Sequence, residues 1–231
     1  MKSYLVIFFL FISMISNAQC PDLIIPKSGK NIQAFVPQNW FIIDSAYSDF
    51  NQDKLKDVVL VLANEKENDE NTQDYECNRP VIILQKTNNG YILSAMSKNA
   101  VLCKNCGGVF GEPFSGITLN ENILNINHYA GSNWRWTKNL TFRFQHNTWQ
   151  LIGISEDSFF NGDDCDDRGV GYAGQNLQEV NFSTSKMHVI STKDTQCEPY
   201  KDVWLTFKKG PFINLNNFDI DKNYFPFKNK D

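Results

Sequence analysis

Oxygen-bearing side chains recur at short intervals in one acidic stretch of the sequence, residues 49–57. Asp49, Asn51, Asp53 and Asp57 supply side-chain oxygens, and the backbone carbonyl of Leu55 falls between the last two. Calcium takes about six to eight hard oxygen ligands, and a tight loop of alternating acidic residues supplies several of them together. The spacing therefore predicts a calcium site. The ion would be structural, because its effect would be to neutralise clustered carboxylates and fix the loop.

The acidic stretch departs from the EF-hand calcium loop in its composition and in the type of element after it. An EF-hand has glycine at loop position six and glutamate at position twelve, whereas Lys54 and Leu60 occupy those positions here. The apolar residues after Asp57 also predict a strand and not a helix. The alternative to a calcium site is a solvated acidic turn whose side chains only cap that strand.

The run from residue 44 to residue 62 resembles the FG-GAP/VCBS type of calcium-binding hairpin. That family usually has glycine where this chain has Lys54, so we expect Lys54 to adopt a positive φ. Residues 107–114 and 131–136 resemble stretches of uncharacterised exported bacterial proteins that carry one such loop. The resemblance implies five calcium ligands, namely Asp49, Asn51, Asp53, the carbonyl of Leu55, and Asp57.

Aromatic side chains alternate with polar and basic ones in a second segment, residues 134–144. The aromatic residues fall on one side of the predicted strands and the arginines on the other: Trp134, Trp136, Phe142 and Phe144 against Arg135 and Arg143. An exposed aromatic stripe would suit stacking against a glycan, but large aromatic residues dominate cores, and we favour the core. The arginines would then bind an acidic partner or pair with nearby carboxylates. The candidate partner-binding residues are therefore Trp134, Arg135, Trp136 and Arg143.

The sequence gives little support for catalysis. His128, His146 and His188 lack the spacing of metal ligands, and the sequence contains no nucleophile elbow or phosphate-binding loop. The alternative function is a carbohydrate-active hydrolase, supported by the aromatic residues and the many carboxylates. The favoured prediction is a β-rich binding module whose partner is a protein or a glycan.

Short apolar runs and alternating segments predict that strands position these residues. Residues 58–62 and 81–84 are continuous apolar runs, typical of buried strands. Residues 117–126, 140–145 and 149–153 show the alternation and the turn-forming residues of antiparallel strands. Helical periodicity is scarce. The sequence therefore predicts an all-β fold with little helix, its antiparallel sheets forming a sandwich or a propeller-like stack.

The six cysteines favour disulfides and an oxidising compartment. Six cysteines allow 15 connectivities, and the sequence does not choose among them. Cys103 and Cys106 form the one local pair, and the two glycines that follow argue against the helix that a redox centre would need. We therefore predict a structural loop disulfide there, and a pairing of Cys165 with Cys197 is a further hypothesis.

Residues 1–18 have the features of a secretory signal peptide, and residues 19–231 are predicted to form a single β-rich domain. Lys2 precedes an apolar run over residues 4–12, and small residues precede the expected cleavage site. The run is much shorter than the roughly 20 residues of a spanning helix, so we predict no transmembrane segment. The expected location is the periplasm or the medium. A lipid-anchored outer-membrane form through Cys20 is less favoured because Gln19 precedes it.

Charge and composition narrow the partner classes. The 231 residues carry a net charge of −4 and are 42% hydrophobic, and removal of Lys2 with the signal peptide gives −5. A chain of this kind is not disordered, and it lacks the basic surface that nucleic acid requires. We therefore predict no nucleic-acid partner.

Overall fold

Strands dominate the chain. The computed structural model describes residues 20–69, 75–162, 165, 173–194 and 196–222, and the predicted signal peptide lies outside them. Within these ranges, helical structure is limited to short 3₁₀ turns, such as Ile32–Phe35 and Leu215–Asn217. None of the helices in the described ranges has the length and apolar character that crossing a bilayer would need. The all-β prediction is confirmed.

The smaller of two sheets consists of the first five strands. They are β1 (Ser28–Gly29), β2 (Trp40–Ser48), β3 (Asp57–Asn64), β4 (Arg79–Thr87) and β5 (Gly90–Val101). Their order across the sheet is β1-β5-β4-β3-β2, and every pairing is antiparallel. All residues of β3 are buried, as its continuous apolar run predicts.

The larger sheet is a meander in which each strand pairs with the next along the chain. Its strands are β6 (Phe114–Asn120), β7 (Ile123–Gly131), β8 (Trp134–Gln145), β9 (Thr148–Phe160), β10 (Asn176–Asn181), β11 (Lys186–Thr192) and β12 (Pro199–Thr206). The tight turns fall where the sequence predicts them, and residues there take positive φ angles: 49° at Glu121, 53° at His146 and 58° at Asn147.

One hydrophobic core lies between the two sheets. The small sheet contributes alternate residues of β3 and β4, and the large sheet contributes residues from β7, β8 and β9: Val59, Val61, Val81 and Ile83 against Leu124, Ile126, Leu140, Phe142 and Leu151. Leu215, Phe218 and Ile220, beyond the last strand, complete it. Of the two predicted arrangements, this one corresponds to the sandwich.

A second apolar cluster covers the other face of the small sheet. Val58, Leu60 and Leu62 of β3 point away from the shared core and pack with Phe35, which is fully buried in the first 3₁₀ turn. Strand β3 is therefore enclosed on both faces, and it provides a rigid support for the acidic stretch that precedes it.

Three disulfides stabilise the periphery of the fold. Cys103 bonds to Cys106, and Cys165 bonds to Cys197, so both pairings suggested by the sequence are confirmed. The third bond joins Cys20 to Cys77 and ties the N-terminal segment to the residues just before β4. No free cysteine occurs among the described residues.

His128 is a buried polar residue of β7 that makes folding stability depend on pH. Its Nδ1 lies 3.0 Å from the carbonyl oxygen of Lys138, and its Nε2 lies 3.3 Å from the backbone N–H of Leu102. A neutral ring satisfies both bonds by donating at Nδ1 and accepting at Nε2. Burial disfavours the imidazolium and lowers the pKa of His128 from 6.5 to about 4.

Acid is therefore expected to destabilise the protein through His128. The unfolded chain takes up a proton near pH 6.5, and the folded ring does so only near pH 4. Stability from this residue is thus complete above about pH 6.5 and falls by about 2–3 kcal/mol by about pH 4.5. Urea unfolding of the wild type and of His128→Gln, whose amide offers one donor and one acceptor and does not titrate, measures this difference. An identical pH dependence in the two proteins would contradict the assignment.

Candidate functional site

The acidic stretch forms the loop between β2 and β3, and Phe50 anchors it in the shared core. The Phe50 side chain is only 2% exposed. Its ring centre lies 4.7 Å from that of Phe144 and 5.0 Å from that of Trp149, both in edge-on geometry. One residue of the loop is therefore an integral part of the core, and this fixes the position of the polar residues on either side of it.

Three of the predicted ligands are brought together by hydrogen bonds within the loop. The Asp49 carboxylate accepts the backbone N–H of Asp53 at 3.0 Å and that of Lys54 at 2.7 Å. The Asn51 side-chain oxygen accepts the same Asp53 N–H at 3.1 Å, and the Asn51 amide donates to Asp53 Oδ2 at 2.8 Å. These contacts place oxygens of Asp49, Asn51 and Asp53 around one short segment of backbone.

Asp57 stands at the start of β3 and is fully buried. One carboxylate oxygen accepts the N–H of Phe50 at 3.1 Å, and the other accepts the N–H of Lys86 at 2.7 Å. Burial raises the pKa of Asp57 to about 6, and the nearby charges of Asp53 and Asp49 add to this rise, although the two N–H bonds oppose it. Asp57 is therefore oriented towards the backbone, and it lies close enough to the other two carboxylates to be affected by their charge.

Lys54 has a φ of 70°, as the comparison with the glycine-containing family pattern predicts. Gln52, two residues earlier, has a φ of 64°. Left-handed backbone is uncommon for residues with a Cβ, and it costs of order 1 kcal/mol at each position. The hydrogen bonds from the Asp49 carboxylate and the packing of Phe50 hold the loop in this conformation.

The donor set of the loop fits calcium in chemical type. Asp49, Asn51 and Asp53 present hard oxygens on one side of the turn, and a carboxylate oxygen that accepts one hydrogen bond still has a lone pair for an ion. Over the described ranges, no three side chains drawn from His, Cys, Asp and Glu group as a metal cluster. A shell of ligands here would therefore depend on the Asn51 amide and on backbone oxygen, such as the Leu55 carbonyl, in addition to the acids.

Two residues of β4 that sequence reasoning missed also reach the loop. The Lys86 backbone N–H binds Asp57, and the Gln85 amide lies 3.5 Å from Asp53 Oδ2. Their positions follow from the pairing of β3 with β4, in which Val58 faces Leu84. A local sequence pattern contains no signal for such a contact, because it depends on the register between two strands.

The candidate partner-binding residues of β8 do not form one surface. Arg135 and Arg143 point to the same side of the sheet, but eight residues separate them, or about 26 Å along a strand. The Arg135 guanidinium lies 4.4 Å from the ring centre of Phe110 and does not face Arg143. On the other side, Trp134 is 44% exposed and Trp136 is half-buried beside Lys138, whereas Phe142 is fully buried. Only the Phe142 end of the aromatic stripe therefore belongs to the hydrophobic core, and the Trp134 end is exposed.

Comparison with known proteins gives no relative from which a function could be transferred. No protein-family description, curated protein or solved structure matches the chain. The chemistry of the site therefore has to be judged from its own geometry.

Proposed function

We propose that the protein is an exported β-rich binding module whose β2–β3 loop is stabilised by a structural calcium ion. The observation that carries the proposal is the convergence of the oxygens of Asp49, Asn51 and Asp53 on a loop in which Lys54 has a positive φ. Ordinary turns of this chain, such as that at Asn147, share the positive φ but lack the three converging oxygens. A calcium loop needs both the oxygens and the sharp bend.

The charge distribution in the loop supports a cation. Among the described residues, no ion pair involves Asp49, Asp53 or Asp57. Carboxylates close to one another repel, and here the repulsion contributes to the raised pKa of Asp57. A divalent ion between Asp49 and Asp53 would offset this repulsion. It would also fix the loop against β3 without supplying an open position for chemistry.

The disulfides support export. Disulfides persist in oxidising compartments and are rare in the cytosol, and the described chain holds three of them. The sulfur of Cys20 is bonded to Cys77, so the same atom has no valence left for a lipid thioether. This favours a periplasmic or secreted protein over a lipid-anchored one. A hydrolase, the alternative function, would release reducing sugar from a glycan, whereas a binding module would not.

Calcium is expected to raise the melting temperature of the protein, and a chelator is expected to reverse the effect. An ion present at about 100 times its Kd stabilises the folded state by about 2.7 kcal/mol. For a domain of this size, that corresponds to a rise of about 5–10 °C. Scanning calorimetry with calcium, with magnesium and with a chelator measures the shift and its selectivity.

Two variants separate calcium binding from loop structure. Asp53→Asn retains the acceptor for the Leu55 N–H, which lies 2.8 Å from Asp53 Oδ1, but removes the charge and the Oδ2 that accepts the Asn51 amide. We expect it to abolish most of the calcium shift. Lys54→Gly removes the unfavourable φ and a positive charge, so we expect a larger calcium response. If the wild type and Asp53→Asn melt alike under all conditions, the loop is a solvated turn.

A further inference from the structure

A polar groove lies on the outer face of the large sheet. It contains no residue of the acidic loop and none of the partner-binding candidates. Neighbouring residues Leu140, Ile154 and Val180 point into the apolar interior, so the residues next to them in each strand point outward. The groove is open to solvent and has a volume of about 490 Å³, within the range of small-molecule sites. It crosses five consecutive strands, from β8 to β12.

Two cross-strand rows of side chains form the floor. Residues that lie directly opposite one another in neighbouring strands place their side chains next to one another on the same face of the sheet. The first row is Asn139, Ser155, Glu179, His188 and Trp204, and the second is Thr141, Gly153, Asn181 and Lys186. Gly153 lies within the second row and has no side chain, so its half-buried backbone forms a low point of the floor.

Trp204, at the end of the first row, is held in a fixed orientation. Its ring stacks on His188 with centres 4.3 Å apart and planes only 2° from parallel. His188 is itself oriented by Asp202, whose Oδ1 lies 2.8 Å from Nε2. The indole is nevertheless 65% exposed. One face of the indole is covered by the imidazole, and the exposed area is available to a ligand without loss of side-chain entropy.

We propose that this groove binds a neutral oligosaccharide, with one sugar ring stacked on Trp204 and its hydroxyl groups bonded to the polar floor. The inference rests on the proposed binding function and specifies its ligand class, but it does not depend on calcium. Asn139 offers an amide donor and an amide acceptor, and Ser155 offers a hydroxyl. The Asn181 oxygen already accepts the Thr184 N–H at 3.0 Å, so its amide contributes a donor. The Thr141 hydroxyl donates to Asn125 at 3.0 Å, so it contributes an acceptor. Together these groups match the paired hydroxyls of a sugar.

Charge and polarity argue against the other occupants. Glu179 and Lys186 in the lining have opposite charges, and the Asp202 carboxylate beside His188 adds a negative charge to the same face, so this face has no net attraction for a phosphate or a polyanion. Trp204 is the one large exposed apolar side chain in the lining, whereas the centre of a protein interface is apolar over a wider area. A neutral, hydroxyl-rich ligand with one apolar ring face satisfies both conditions.

The test is a microarray of neutral di- to hexasaccharides of glucose, xylose, mannose and galactose, followed by titration calorimetry with the oligosaccharide that binds. Sulfated and uronic-acid glycans form a separate arm, and all measurements contain calcium. Trp204→Ala removes the stacking surface. Gly153→Val fills the floor, and its Cβ makes only ordinary van der Waals contacts, the nearest with the Val180 carbonyl oxygen at 3.5 Å. Tyr200→Ala, an equally exposed aromatic residue of β12 outside the groove, is the control.

We expect the wild type to bind at least one neutral oligosaccharide. Trp204→Ala and Gly153→Val should each weaken binding by about tenfold or more, and Tyr200→Ala by less than about twofold. Circular dichroism confirms that each variant is folded. Binding that survives both groove variants, or that is lost in Trp134→Ala instead, overturns the site but leaves the binding function standing. A wild type that binds only acidic glycans, or none, overturns the ligand class.

Discussion

Replacing Phe50 by alanine is expected to destabilise the protein by about 3–5 kcal/mol, although Phe50 lies in a loop. The ring is 2% exposed and packs edge-on against Phe144 and Trp149. Its removal leaves a cavity lined by two large aromatic side chains, and residues that belong to well-packed strands relax only partly into such a space. Urea unfolding at neutral pH measures the change in the free energy of unfolding.

Tyr47→Ala provides the matched control for this prediction. Tyr47 belongs to β2, only three residues before Phe50, but it is 49% exposed. Truncation of an exposed side chain usually changes stability by less than about 0.5–1 kcal/mol. Equal costs for the two variants would mean that the loop is not anchored by the core. Phe50→Leu, which fills most of the space, should cost clearly less than Phe50→Ala.

The acidic loop between β2 and β3 shows what local sequence is able to predict. The turn follows from the alternation of oxygen side chains over nine consecutive residues, whereas the positive φ of Lys54 is what the resemblance to the glycine-containing family pattern implies. The burial of β3 follows from an unbroken apolar run in the same way. These features depend on residues that are near one another along the chain, where sequence patterns carry most of their information.

Features that depend on strand register could not be predicted in this way. The groove draws Asn139, Ser155, Glu179, His188 and Trp204 from five different strands, and only their pairing makes them neighbours. The outward-facing Asn and Thr residues of β8 were the one local signal of a polar face.

The burial of residues in short irregular elements could not be predicted from sequence patterns either. Phe35 is fully buried in a four-residue 3₁₀ turn, which is too short to show a period. The pairing of Cys20 with Cys77 depends on the same kind of long-range placement, since the sequence allowed each of them several partners.

Arg79 forms the most buried ion-pair network of the described residues, and it joins both sheets. It begins β4 of the small sheet, and its guanidinium binds Glu67, in the 3₁₀ turn Glu65–Asn68 after β3, at 2.8 and 3.0 Å. It also donates at 2.8 Å to Glu112, two residues before β6 of the large sheet. Burial alone would lower the pKa of Arg79, but the bonds to Glu112 and Glu67 outweigh this effect and raise it. Burial of the nearby Tyr75 hydroxyl, together with the negative charge of Glu67, raises the pKa of Tyr75 to about 12.

Arg79→Met is therefore expected to destabilise the protein by about 3–5 kcal/mol, because it leaves the Glu67 carboxylate buried without its partner. The side chains of Arg79 and Glu67 are 3% and 4% exposed, whereas that of Glu112 is 41% exposed and has access to water. The main penalty thus arises at Glu67. We expect Glu67→Gln, added to Arg79→Met, to recover most of the lost stability, since a neutral amide costs much less to bury than a carboxylate.

The matched comparison is Glu112→Gln added to the same Arg79→Met background. Glu112 remains partly hydrated after Arg79 is lost, so its neutralisation should recover less than about 1 kcal/mol. Urea unfolding of the four proteins forms a double-mutant comparison in which the difference between the two rescues isolates the buried charge. If neither substitution rescues stability, the cost of Arg79→Met comes from lost packing of its aliphatic stem and not from an uncompensated charge. Equal rescue by both would contradict the assignment of the main penalty to Glu67.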